Sequence, residues 1–299
     1  HQAILRELRL VAARRELAGA AVVTFGQHPR EVVSARGAPP TITDLDERIS
    51  LIGACDIDAL VVLDFDASLA VVEYDTFVRE LLVARLGMSH FVLGHDVHFG
   101  RDRRGNAASV VDLGEEMGFN VSQVASVRDS GEAISSTRIR EALASGDLDA
   151  AVRWSGHPIP ISGTVERGRE LGRELGFPTA NLTVPPGKVS FATGVYAGWA
   201  RPGADWLPAV ANLGYAPTVA DGGDLRLEVH LLDGDHDLYG HRLELALGTR
   251  LRPERKFGSK NELVEAISGD CARARAWIDA APEAAHPARL ARLTGLGPA

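Results

Sequence analysis

Apolar residues recur along this chain at two different spacings, and the change from one to the other falls near residue 155. In the first part, short apolar runs at 20–25, 59–65, 90–94 and 120–127 read as buried strands. They alternate with stretches at helical spacing at 2–17, 45–55, 74–86 and 107–117. Helices placed between strands in this way act as crossover connections, so the strands are expected to lie mainly parallel in a Rossmann-like α/β domain of nucleotide-binding type.

A further helix is expected from Thr137 to about Trp154. It runs into Ser155-Gly156-His157-Pro158-Ile159-Pro160, where a glycine and two prolines break regular structure. That break divides the chain into a first domain at 1–154 and a second at 155–299. Past it the apolar residues alternate in short runs at 194–199, 225–232 and 243–247, separated by glycine and aspartate turns. This pattern predicts a small antiparallel β-barrel or sheet. One closing helix at 260–280 carries Leu263, Val264, Ile267, Ala274 and Ile278 at helical spacing, which suits it to plug or flank the barrel.

Composition narrows the function classes. The chain has 299 residues, 45% hydrophobic and 24% charged, which is ordinary for a globular protein of two domains. Its net charge of -8, with basic residues scattered rather than massed in a stripe, argues against a sequence-independent grip on nucleic acid and for small-molecule partners. Cys55 and Cys271 stand far apart without a CxxC spacing, so neither a disulfide framework nor a zinc site is expected, in keeping with a reducing cytoplasm. No apolar run approaches the roughly 18 residues of a membrane span. The first residue is His1, with no signal peptide in view, and a truncated start is expected.

Candidate chemistry gathers in the second domain. Residues 163–181 read GTVERGRELGRELGFPTAN, with glycines at 163, 168, 172 and 176 and arginines at 167, 169 and 173. Glycines let backbone N–H groups approach a phosphate and arginines add charge, so the segment is suited to a polyphosphate; the alternative is a mobile surface hairpin. Phe177-Pro178-Thr179-Ala180-Asn181 sets a hydroxyl and a carboxamide on the same side of an extended segment. Such neutral oxygen donors suffice for Mg2+ when ATP brings the negative charge, whereas in isolation the pentapeptide also reads as a proline-initiated turn. Leu225, Leu227, Val229 and Leu231 share one face of a strand, which leaves Arg226, Glu228 and His230 on the other.

The segment GTVERGRELGRELGFPTANL resembles the signature of the riboflavin kinase module in bacterial bifunctional riboflavin kinase/FAD synthetases. Later blocks resemble that family in the same order: Gly194-Val195-Tyr196-Ala197, Asn212-Leu213-Gly214 with Pro217-Thr218, Glu228-Val229-His230-Leu231-Leu232, Asp237-Leu238-Tyr239-Gly240 and Leu251-Arg252-Pro253-Glu254-Arg255-Lys256-Phe257. The resemblance implies a barrel that moves the γ-phosphate of ATP to riboflavin. It makes Glu228 the general base, and Gly168, Gly172, Arg173, Thr179 and Asn181 the holders of Mg–ATP, with Thr179 and Asn181 on the metal. Arg252 and Phe257 would close over the flavin, though an ordinary loop charge and a core ring are the alternatives. The flavin pocket is expected to be largely aliphatic and backbone-lined, with Tyr239 either a wall or part of the core.

The first domain resembles the nucleotidyltransferase half of the same family, which implies adenylylation of FMN to FAD. His1-Gln2-Ala3-Ile4-Leu5 is similar to the end of that half's HxGH motif and the residues just after it, and 24–29, 94–100 and 134–140 resemble further blocks. His1, Asp96, Ser136, Thr137 and Arg140 are then the expected nucleotide-binding residues, with Ser136 and Thr137 capping a helix and offering N–H groups to phosphate. Gly26, Gln27, Val97 and Ala133 depart from the family pattern, and with less charge at the transferring phosphate a weakened adenylyltransferase half is expected. A flavin- or nucleotide-binding protein with an inactive adenylyltransferase half is the alternative reading.

Overall fold

The computed structural model describes residues 1–168, 171–184, 186–215, 225–234, 236, 238–281 and 287. Arg169, Pro217, Thr218 and Asp237, named above, fall outside them. Contacts divide the chain into two compact units, His1–Pro39 with Arg48–Ile134, and Pro40–Glu47 with the described residues from Ser135 onward.

In the first unit, β1 (Ala21–Phe25) pairs in parallel with β2 (Ala59–Leu63), and β3 (His90–Gly94) with β4 (Asn120–Val124). Both pairs are parallel, as the alternation of helix and strand implies, but they are hydrogen-bonded as two separate ladders. The core here gathers Val78, Leu82, Leu93, Val110, Leu113 and Phe119. The first helix, Gln2–Arg14, stops short of residue 17, and Glu16 beyond it takes φ 51°. The helix expected at 74–86 begins at Tyr74–Thr76 and widens to a π-helix over Phe77–Arg85. A two-residue hairpin, β5 (Arg128–Asp129) with β6 (Glu132–Ala133), ends the unit.

In the second unit, the helix expected at 137–154 is two helices, Ser136–Ser145 and Leu148–Ser155. Gly146 ends the first at φ 85°, and the Asp147 carboxylate starts the second by accepting the Ala150 N–H at 3.0 Å. Asp147→Ala is expected to lower stability by about 1 kcal/mol, read from denaturant unfolding.

Six strands then close into an antiparallel barrel in the order β10-β11-β8-β7-β12-β9. They are β7 (Ile159–Glu166), β8 (Ala180–Thr183), β9 (Gly194–Arg201), β10 (Leu207–Tyr215), β11 (Leu225–Leu231) and β12 (Arg242–Pro253). The break expected at 155–160 is present at Gly156–Pro158 and is corrected at its end: Pro160 lies inside β7, opposite Ala246. It is tolerated because β8 reaches only Thr164–Glu166, leaving the start of β7 with one ladder partner and no call on the missing N–H. Inside the barrel, Val165, Leu182, Leu227 and Leu213 form one buried cross-strand row. The closing helix, Lys260–Asp279, flanks the barrel rather than plugging it: Ala274 packs with Val195, Ala197 and Val210 on the outer side of β9 and β10.

Residues 40–47 are fastened to this barrel by a buried charge cluster. The Glu47 carboxylate accepts from the Ser162 N–H at 2.9 Å, the Ser162 hydroxyl at 3.2 Å, the Asp44 N–H at 2.9 Å and the Lys188 ammonium. Burial raises the Glu47 carboxyl above its ordinary value, although Lys188 pulls it down.

Candidate active site

Because side chains directly opposite on neighbouring strands share a face, the barrel register fixes a polar row on the outer surface. Glu166 faces Asn181, Asn181 faces Glu228, and Glu228 faces Asn212, across β7, β8, β11 and β10. The row lies one residue away from the buried Val165-Leu182-Leu227-Leu213 row, so the alternation that fills the barrel also turns these polar side chains outward.

Above the row opens a cavity of about 1250 Å³. Glu228, Thr179, Asn181, Gly168 and Gly172 line it, together with Arg252 and Phe257. Arg173, in the short helix Leu171–Glu174 between β7 and β8, is exposed and is not part of the lining. Aliphatic side chains line another wall, Val195 and Val210 from β9 and β10 and Leu263 and Ile267 from the closing helix. Tyr239 packs against the barrel core instead, with the Arg167 guanidinium 5.2 Å from its ring.

Gly168 and Gly172 are there for space, whereas Gly176, with nothing near it, takes φ 85°. A Cβ on Gly168 would stand 2.1 Å from the Asn181 side-chain nitrogen, and one on Gly172 would stand 2.4 Å from the Phe177 carbonyl oxygen and 3.1 Å from the Thr179 hydroxyl. The segment therefore lies directly against the hydroxyl and carboxamide. His230, one turn of the pleat past Glu228, holds the Pro178 carbonyl at 2.8 Å through Nδ1, which must carry the proton in that bond, and packs its ring edge-on to Phe177 at 5.7 Å.

On the opposite wall, Arg252 is not an ordinary loop charge. Its guanidinium is bound to Asp270 of the closing helix by Nε at 3.0 Å and Nη2 at 2.7 Å. It also sits 5.7 Å from the centroid of Phe257, with Arg255 at 4.7 Å from the same ring. Asp270, Asn212 and His230 were not singled out by the sequence as site residues. Asp270 sits on the apolar stripe between Ile267 and Ala274, and an acid in that position is the signal that was available.

The residues expected to hold the adenylylated nucleotide occupy both units. His1 stands at the N-terminus of the helix Gln2–Arg14, whose Ile4 would meet a Cβ on Gly94 at 3.2 Å, which brings it to the carboxyl end of β3. Asp96 lies just past that end with its side chain largely exposed. In the second unit, the expected cap at Ser136 and Thr137 is corrected by one residue. Ser135 is the N-cap, accepting the Arg138 N–H at 3.3 Å, because its extended backbone aims the hydroxyl back at the first turn, and Ser136 and Thr137 follow as helical residues. Arg140 donates from Nε to the Pro40 carbonyl at 2.7 Å.

Comparison with known proteins matches two family models, "Riboflavin kinase" over residues 155–278 and "FAD synthetase" over 1–138. A bifunctional riboflavin kinase/FMN adenylyltransferase of Pseudomonas fluorescens is 40% identical over 285 residues, covering 95% of this chain and 90% of that protein. The protein of the same description from Escherichia coli K12 is 38% identical over 282 residues, 93% and 88% of the two chains. A crystal structure described as a macrolide-efflux protein from Streptococcus pneumoniae superposes with a TM-score of 0.79 at 29% identity, over 93% of this chain and 90% of that one. Among the described residues of this chain no helix is long and apolar enough to cross a membrane.

Proposed function

This chain belongs to the bifunctional riboflavin kinase/FMN adenylyltransferase family, and on that premise we propose that its barrel transfers the γ-phosphate of ATP to the 5′-hydroxyl of riboflavin. The products are FMN and ADP, and a second reaction on the nucleotidyltransferase half joins FMN to the AMP moiety of ATP with loss of pyrophosphate. The observation that carries the kinase reading is the Glu228 carboxylate facing the same cavity as the Thr179 hydroxyl and the Asn181 carboxamide.

Mg–ATP enters as a substrate. Thr179 and Asn181 offer neutral oxygens, which suit a hard cation already neutralised by a triphosphate, and no carboxylate cage is needed. Glu228 takes the riboflavin hydroxyl proton as the oxygen–phosphorus bond forms and the bond to the ADP oxygen breaks. Gly168 and Gly172 keep the polyphosphate side of the cavity open, and the aliphatic wall with Phe257 suits the flat flavin ring. Arg173, exposed next to Gly172, is proposed to add its charge to the binding of the ATP phosphates.

His1, Asp96, Ser136, Thr137 and Arg140 are proposed to serve the adenylyl transfer. The functional division between the halves is placed at 154/155, with both activities in the cytoplasm. Neither reaction involves nucleic acid or membrane as a partner in this reading.

Two results test these assignments. Gly168→Ala displaces the Asn181 carboxamide rather than any backbone, so it is expected to raise the apparent KM for Mg–ATP by about tenfold while the riboflavin KM stays nearly unchanged. An unchanged KM for Mg–ATP would remove Asn181 from the nucleotide site. For the other half, chromatography of the protein incubated with FMN, ATP and magnesium is expected to show FAD. Unreacted FMN alone would restrict the chain to the kinase reaction.

A further inference from the structure

Asp270 is the most deeply buried carboxylate bordering the cavity, 2% exposed. Both of its oxygens are taken: Arg252 reaches it through Nε at 3.0 and 3.1 Å and through Nη2 at 2.7 Å, and Arg273 through Nη2. With its acceptor positions engaged by two guanidinium groups, the carboxylate has little left to offer a substrate. Its effect has to pass through Arg252. That guanidinium is held in its plane by the two-point bond, while Nη1 donates to the Pro253 carbonyl at 3.1 Å and the face lies near Phe257.

Past β12 the chain from Glu254 to Gly258 has no strand or helix to fix it. Glu254, Arg255 and Phe257 nevertheless form one wall of the cavity. The connection from helix to wall is thus Asp270 to Arg252 to Phe257, with the Arg255 guanidinium 4.7 Å from the centroid of the same ring. A buried arginine–carboxylate pair broken on one side leaves an uncompensated charge, so Arg252 would leave its position once the acid were neutralised.

We propose that Asp270 is a positioning residue of the kinase site: its buried carboxylate fixes the Arg252 guanidinium and, through it, the Phe257 wall against which riboflavin is held. The proposal rests on the kinase reading given above and deepens it. It assigns the closing helix a part in flavin binding besides its packing against β9 and β10.

Asp270→Asn and Arg252→Lys in the full chain test this together. Asparagine keeps the shape and loses the charge; lysine keeps the charge and cannot make the two-point bond. Each is expected to raise the riboflavin KM about tenfold with kcat changed by less than about threefold, and the double variant is expected to resemble either single one. Hydrogen exchange of residues 252–258 is expected to quicken in Asp270→Asn while exchange in β7 and β11 stays as in the parent. An unchanged riboflavin KM, effects that multiply in the double variant, or unaltered exchange at 252–258 would each overturn the proposal. If Asp270→Asn fails to fold, Arg252→Lys with its KM and exchange carries the test alone. A parent chain that forms no FMN overturns the kinase reading instead, and the exchange comparison still decides whether Asp270 fixes the wall.

Discussion

Replacing Glu228 with glutamine is expected to leave the barrel folded and to lower riboflavin phosphorylation by about 10²-fold or more. Glutamine matches glutamate in shape but takes up no proton at neutral pH. Among the described residues no hydrogen bond or ion pair engages the Glu228 carboxylate, so its charge leaves no stranded partner behind. Its neighbours in the register, Asn181 and Asn212, are neutral, and the loss should appear in kcat with little change in the KM for Mg–ATP. Phosphorylation at the parent rate would take the general-base role away from this residue.

The second large effect is on stability. Glu47→Ala is expected to destabilise the second unit by about 3–5 kcal/mol, because it leaves the buried Lys188 ammonium without its partner and strips the Ser162 N–H of its acceptor. Both Glu47 and Lys188 side chains are only 4% exposed, so water cannot replace what is lost. The same truncation also frees the Asp44 N–H and loosens residues 40–47 from the barrel, where Thr41 otherwise bonds the chain at Gly187 and Val189. Urea unfolding followed by far-UV circular dichroism reads the change. A shift smaller than about 1 kcal/mol would mean that the pair contributes no more than an exposed ion pair does.

What the sequence made legible is what repeats along it. Alternation at 225–231 was enough to turn Glu228 away from the core, and Thr179 and Asn181 were read together because a strand places alternate residues on one side. The apolar stripe at 260–280 announced the closing helix. Local chemistry was read less well. Ser145-Gly146-Asp147 carries both a helix stop and a helix start, and the apolar face shifts by about half a turn across it, from Ile139, Ala142 and Leu143 to Leu148, Ala151 and Val152, a local signal that a single helix over 137–154 passes over. Pro160 reads as a breaker because a sequence does not say that the neighbouring strand will stop short of it.

Residues whose meaning lies in a distant partner were the least legible. Glu47 looks like any acid in the first turn of a helix until Lys188 and Ser162 close on it from 141 and 115 residues away. Asp270 interrupts an apolar stripe for a reason found only in Arg252. Asn212 became a neighbour of Glu228 through the strand register, which depends on where each turn falls.

In the kinase reading one metal–triphosphate and one flavin meet between Thr179, Asn181 and Glu228. A crystal structure of the protein with riboflavin, magnesium and a non-hydrolysable ATP analogue tests it most directly. The Thr179 and Asn181 oxygens are expected at the metal or its phosphates, and the Glu228 carboxylate within hydrogen-bonding distance of the ribityl 5′-hydroxyl. A triphosphate seated elsewhere, or a flavin whose 5′-hydroxyl lies out of reach of Glu228, would contradict it.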